Sequence, residues 1–246
     1  VHGLRRLIEE EMLMGLFSRR HRDDAEGEAD AQEEPAPEEP EEPGTGPWDV
    51  DAVPAGSAPG GRIDLGSLRV PAVDGMQIRM ERAGRDAEAS AAVLILGGST
   101  LELRAFAAPR TAGIWEDLRA DIAAELTRAK ATYEIVDGQW GTEILAQVPV
   151  RTPEGRSATV AARFIGVDGP RWFLRGVLQG RAASDADAAR PLREVFANTV
   201  VVRDGAARPP REILPLHAPG VTKAPAAEEL PGLDPLQPGP TIAEVR

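Results

Sequence analysis

The chain has 246 residues, no cysteine, three histidines and a formal net charge of -12. Without cysteine, disulfides, thiolate nucleophiles and cysteine-ligated zinc or iron–sulfur sites are excluded. His2, His21 and His217 lie towards the two ends, so residues 44–216 offer no imidazole for a Ser-His-Asp triad, a histidine general base or a histidine metal site.

The charge is unevenly placed. Eleven acidic residues stand between Asp23 and Glu42 (Asp23, Asp24, Glu26, Glu28, Asp30, Glu33, Glu34, Glu38, Glu39, Glu41 and Glu42) with no Lys or Arg among them, so this stretch carries -11 of the -12. Rich in Glu, Asp, Ala and Pro and without an aromatic residue, it cannot bury enough apolar area to offset an ordering cost of about 1–2 kcal/mol per residue. Residues 1–45 are therefore expected to form a disordered leader and acidic arm, with Met14-Gly15-Leu16-Phe17 resembling a natural start and residues 1–13 read as upstream-coded. Arg5, Arg6, Glu9, Glu10 and Glu11 break any apolar signal-peptide core, and no apolar run approaches the ~20 residues of a membrane span. The expectation is a cytoplasmic protein without a transmembrane segment. Only Lys130 and Lys223 are lysines, an imbalance against arginine that fits GC-rich coding.

A single folded domain is expected over 46–216, followed by a disordered proline-rich tail over 217–246. At its start, Trp48 either hooks the arm onto the domain or meets a partner. Met76 to Arg82 reads as a strand, and Val93 to Leu96 and Thr100 to Ala107 flank Gly97-Gly98 as a hairpin. Next comes a helix: Thr111 can cap it, Glu116 and Asp117 suit its start, Arg128 and Lys130 suit its end, and Trp115, Leu118, Ile122 and Leu126 recur at helical spacing. A meander follows, in strands Thr132 to Ile135, Thr142 to Arg151, Ala158 to Gly166 and Arg171 to Gln179. Its turns are placed at Val136-Asp137-Gly138-Gln139, Thr152-Pro153-Glu154-Gly155 and Val167-Asp168-Gly169-Pro170. A second helix enters near Pro191, buries Leu192, Val195 and Phe196, and leaves at Asn198 into a strand at Val200-Val201-Val202. The fold class is α+β: an antiparallel β-sheet of six or more strands with two helices packed on one face.

Alternation along the strands assigns one side to the core: Met76, Ile78 and Met80, Leu101 and Leu103, Ile144, Ala146 and Val148, Val160, Ala162 and Phe164, and Trp172, Leu174 and Leu178. The other side mixes Arg79, Arg104, Arg163 and Arg175 with Glu81, Glu102, Glu143, Leu145, Ile165, Phe173 and Val177. As an exposed face it would suit an unidentified protein partner or a homodimer, through Phe173, Val177, Leu145, Ile165, Arg175, Arg163, Arg104, Arg79 and Trp48. The alternative is a nucleic-acid-associated factor whose arginine-bearing face is autoinhibited by the acidic arm.

Nothing calls for an enzyme. Gly97-Gly98-Ser99-Thr100 lacks the second glycine, the lysine and the helix of a phosphate loop. Asp137 and Asp168 precede glycine in turns, and Glu102 and Glu143 stand opposite arginines, so ordinary structure accounts for these carboxylates. Trp140 reads as packing in its hairpin. No catalytic residue, metal or cofactor is assigned.

Four blocks carry a resemblance: Arg62-Ile63-Asp64-Leu65-Gly66-Ser67-Leu68-Arg69-Val70-Pro71, Gly138-Gln139-Trp140-Gly141-Thr142-Glu143, Trp172-Phe173-Leu174-Arg175-Gly176-Val177 and Asn198-Thr199-Val200-Val201-Val202-Arg203. Together they resemble an uncharacterised actinobacterial family, domain of unknown function 3710, over Gly46 to Leu216. The resemblance implies no reaction, ligand or functional residue. The order of elements is also similar to the Mog1/PsbP-like fold, whose members are mostly binding or assembly factors.

Overall fold

Short turns and strand alternation organise most of the chain. The computed structural model describes residues 46–53, 61–82, 84, 87–109, 113–152 and 155–220. The leader and acidic arm, the helix cap expected at Thr111, the turn residues Pro153 and Glu154 and the tail beyond 220 lie outside the described residues.

In chain order the elements are β1 (Trp48–Asp49), β2 (Arg62–Asp64), β3 (Leu68–Pro71), β4 (Gln77–Arg82), β5 (Ala89–Leu96), β6 (Ser99–Ala107), α1 (Ile114–Arg128), β7 (Thr132–Gly138), β8 (Gly141–Arg151), β9 (Ser157–Gly169), β10 (Trp172–Gln179), α2 (Ala186–Ala197) and β11 (Val200–Val201). β4 to β10 make a seven-stranded antiparallel sheet in the order β4-β5-β6-β10-β9-β8-β7, and the remaining strands form a four-stranded sheet, β1-β11-β3-β2. The α+β class and the antiparallel sheet are as the sequence predicts.

Gly97 and Gly98 take positive φ (58° and 77°) in the two-residue loop joining β5 to β6, the geometry that favours glycine in a tight hairpin. The next two tight turns fall later than predicted. β7 runs on through Asp137-Gly138 and turns at Gln139-Trp140, and β9 runs through Asp168-Gly169 and turns at Pro170-Arg171.

A two-residue loop pairs even-numbered with odd-numbered residues, and that arithmetic splits the predicted core in two. Phe164 stands between Ile144 and Val177, whereas Leu174 and Leu178 share their side with Ala105 and Leu101. Side chains of neighbouring residues leave opposite faces of a strand. On one face Leu101, Leu103, Leu174, Leu178 and Ile165 pack with Leu192, Val195 and Phe196 of α2 and with Leu68, Val70 and Val201 of the small sheet. On the other, Ile144, Ala146, Phe164, Phe173 and Val177 pack with Trp115, Leu118, Ile122 and Leu126 of α1. The helices thus lie on opposite faces, not both on one, and each closes its own core.

The capping of α1 comes from outside the helix. Its N-cap, Gly113, has no side chain to offer, and the Asp168 carboxylate at the end of β9 accepts hydrogen bonds from the Gly113 and Trp115 N–H groups, each at 3.3 Å. The indole Nε1 of Trp115 donates to the Thr142 carbonyl at 2.7 Å, fixing the helix over β8. α2 begins five residues before Pro191, because Asp185 caps it by accepting from the Asp187 and Ala188 N–H groups. Alanine-rich sequence and burial of Ala189, Leu192, Val195 and Phe196 outweigh the hydrogen bond that Pro191 cannot donate.

Two extended segments close the domain. The Trp48 N–H donates to the Thr199 carbonyl (2.9 Å), β1 lies parallel to β11, and Asp49 Oδ2 accepts from Trp172 Nε1 (2.7 Å). Trp48 is therefore docked on its own domain. After β11, the Arg211, Leu214 and Leu216 N–H groups donate to the Ala107, Ala105 and Ala89 carbonyls. Arg211 also reaches Asp117 (3.0 Å) and Asp121 (3.2 Å) of α1.

Candidate functional site

The face expected to be free is closed. Phe173, Val177 and Ile165 are fully buried, Phe173 stacking on Trp115 with ring centroids 5.8 Å apart. Arg104 and Arg175 are buried too, while Leu145, Arg163 and Trp48 are half-buried and Arg79 is exposed. These residues do not form one surface: β8 and β9 place Leu145, Ile165 and Arg163 on the α2 face, and β10 places Phe173, Val177 and Arg175 on the α1 face. The cause is the two-residue loop between β9 and β10, which pairs even-numbered with odd-numbered residues, so the even-numbered residues of the two strands face opposite ways.

The arginines work inside the fold. Glu102 Oε1 accepts from Arg104 Nε (2.8 Å) and Arg175 Nη2 (2.9 Å), Glu81 lies 3.9 Å from Arg104, and the Arg175 guanidinium sits 5.9 Å from the Phe106 ring centre. Burial opposes the charge on Glu102, yet Arg104 and Arg175 beside it hold its carboxyl below the usual carboxylate range. On the opposite face Glu143, 1% exposed, accepts a two-pronged contact from Arg193 (3.0 and 2.6 Å) and a third bond from Arg163 Nη1 (3.1 Å). Arg163 Nε donates to the Ala183 carbonyl (2.9 Å), and Arg193 lies 5.6 Å from the Trp140 ring, which meets Phe196 edge to face. Trp140 is packing, as predicted, and Ser99 Oγ accepts from the Ala182 N–H.

The surface that remains open is an edge. β7 ends the seven-stranded sheet, and among the described residues its strand pairing is with β8 on one side only. Among the described residues the exposed large hydrophobic side chains are Tyr133 (36%) and Ile135 (54%), both on this strand. Tyr133 pairs with Ala146 and Ile135 with Ile144, so both side chains emerge on the α1 face. Glu134 and Asp137 give the strand its charge, and its seven residues pair with β8 without a register break. The opposite edge differs: β4 alternates Arg79, Glu81 and Arg82 and carries a register shift at Glu81/Arg82, the kind of feature that blunts strand addition. Sequence reading identified β7 as a strand but not as an edge, and no local signal marks Tyr133 and Ile135, because edge status depends on strand order.

These features define a helix-flanked antiparallel α+β domain with one regular, apolar-bearing edge. The chain belongs to the family described as protein of unknown function DUF3710, whose model matches residues 46–224. No curated protein matches it. Among solved structures it is similar to a protein from Bacteroides thetaiotaomicron at 12% identity and a TM-score of 0.37, the match covering 61% of this chain and 52% of that one, so this chain spans about half the other's length. No helix among the described residues is long and apolar enough to cross a membrane.

Proposed function

We propose that this domain is a non-enzymatic binding or accessory module that takes an extended segment of a protein partner onto the open edge of β7. The observation that carries the reading is the coincidence of a strand edge left unpaired among the described residues with the exposed Tyr133 and Ile135. Strand addition draws affinity from main-chain hydrogen bonds and specificity from alternate side chains, and β7 offers both. Three of the four carboxylates first considered for chemistry have structural roles: Glu102 anchors the buried Arg104 and Arg175, Glu143 holds the half-buried Arg163 and Arg193, and Asp168 caps α1. This supports a binding role over an acid–base one.

The test is affinity capture with the full chain, comparing wild type with Ile135→Lys on β7 and Arg79→Glu on β4. Proteins retained by wild type and Arg79→Glu but lost with Ile135→Lys support the reading. An identical set from all three overturns it.

A further inference from the structure

The residues of β7 are arranged so that the strand can pair with itself. The strand runs Thr132-Tyr133-Glu134-Ile135-Val136-Asp137-Gly138, and its central residue is Ile135. In an antiparallel pair related by a two-fold axis through Ile135, all seven residues find partners: Ile135 meets its own copy, Glu134 meets Val136, Tyr133 meets Asp137 and Thr132 meets Gly138. No like charges are directly opposed in this register, and directly opposed like charges are what cross-strand pairing penalises. Paired residues must share a face, so the two-fold can move only by whole residues. Centred on Glu134 it sets two carboxylates against each other. Centred on Val136 it sets Ile135 against Asp137. The centred register is the longest and joins the two Ile135 side chains in one stripe flanked by the Tyr133 rings on the α1 face, the face on which they are now exposed.

We infer that the occupant of the β7 edge is a second copy of this chain, joined by antiparallel β7–β7 pairing centred on Ile135 into a continuous two-fold sheet. This rests on the proposed use of that edge and names the partner. A C2 contact of this kind is self-complementary, as isologous interfaces require. An interface built mainly from one strand belongs to the small, reversible class, below the ~1,200 Å² of standard interfaces.

The absence of cysteine makes the register directly testable. Ile135→Cys places two thiols on directly opposed residues with Cα atoms about 4.5–5.5 Å apart, inside the range a disulfide spans. Tyr133→Cys places its thiol four residues from its symmetry mate, roughly 13 Å along the strand and out of reach. Both side chains are exposed in the single chain, so neither variant disturbs a core, and circular dichroism checks folding. Under mild oxidation of the full chain, Ile135→Cys is expected to form a covalent dimer at least ~10-fold faster than Tyr133→Cys, the gain an effective concentration gives over collision. Wild type is expected to sediment as a dimer in a concentration-dependent way, and Ile135→Lys as a monomer. Equal cross-linking rates, with wild type monomeric up to ~500 μM, overturn the inference. A monomer that gains dimerisation when residues 221–246 are deleted also overturns it, because the chain's own tail then holds the edge. Either failure leaves the use of the edge standing if Ile135→Lys still loses captured proteins. If Ile135→Lys loses none, the edge reading fails with it.

Discussion

Glu143 is the carboxylate whose removal should cost most. Glu143→Gln keeps the volume and one carbonyl acceptor but leaves Arg163 and Arg193 facing an uncharged group. Breaking a buried ion pair from one side costs about 3–5 kcal/mol, because the remaining charge stays desolvated. The lower end applies here, since the side chains of Arg163 and Arg193 are 21% and 18% exposed, Arg163 keeps the Ala183 carbonyl and Arg193 keeps the Trp140 ring. An expected loss of about 3 kcal/mol corresponds to a fall in Tm of roughly 6–12 °C for a domain of this size. Urea unfolding should show a lower midpoint at unchanged slope, the sign that stability and not compactness has changed. A double-mutant cycle with Arg193→Met isolates the pair, and a coupling on the order of 1–2 kcal/mol is expected for groups in direct two-pronged contact. If Glu143→Gln stays within ~0.5 kcal/mol of wild type, or the cycle is additive, the buried carboxylate does not hold α2 against the sheet and the reasoning fails.

The remaining predictions use other parts of the same scaffold. A Cβ at Gly138 would lie 1.9 Å from Glu143 Oε1, so Gly138→Ala should cost about 1–3 kcal/mol in urea unfolding, and much less in a Glu143→Ala background where the obstruction is gone. Asp168→Ala removes the acceptor for two N–H groups at the start of α1 and should cost about 1–2 kcal/mol, with the first turn of α1 losing hydrogen-exchange protection before the rest. Glu102 has a carboxyl held below its ordinary value of 4.5 in the fold, so its ion pairs stabilise the protein at neutral pH and that contribution is lost as pH falls through the depressed folded value. The stability gap between wild type and Glu102→Gln should therefore be widest near neutrality and shrink below about pH 4.5, and a gap that is constant with pH would exclude this linkage.

Local chemistry made some elements legible and misled about others. The Gly97-Gly98 loop needs positive φ at both residues, and glycine is the residue that supplies it, so that hairpin is readable from sequence. The stripe Trp115, Leu118, Ile122 and Leu126 is readable because helical periodicity and burial coincide, and all four are buried. Asp137-Gly138 and Asp168-Gly169 carry the same turn signature for a different reason. Their glycines have no positive φ. A Cβ on Gly138 would strike Glu143, and one on Gly169 would lie 2.2 Å from the Trp172 ring. Glycine is present there for close approach across the strand pair, not for a turn. Reading these sites as turns moved each loop by two residues, a shift that leaves unchanged which residues share a face. The docking surface assigned to Phe173, Val177, Ile165 and Leu145 has another origin: the predicted alternation gives β9 and β10 the same parity across a loop that pairs even-numbered with odd-numbered residues.

Once both faces of the sheet are covered, little surface is left on which the fold can present a sheet-based function. Of the arginines expected outside, Arg104 and Arg175 are buried and ion-paired with Glu102, Arg163 is half-buried against Glu143, and Arg79 stays exposed. What differs across the seven-stranded sheet is its two edges. β4 interrupts its own ladder and alternates charge, whereas β7 continues without a break and exposes Ile and Tyr on one side. Unprotected regular edges invite uncontrolled pairing, which is why proteins ordinarily blunt them. A chain that blunts one edge and leaves the other regular restricts added strands to a single place. A two-fold pairing at that place is closed, because joining β7 to β7 leaves only the blunted β4 strands at the ends of the combined sheet. Within the seven-stranded sheet, that asymmetry favours a discrete two-fold pair over open-ended strand addition.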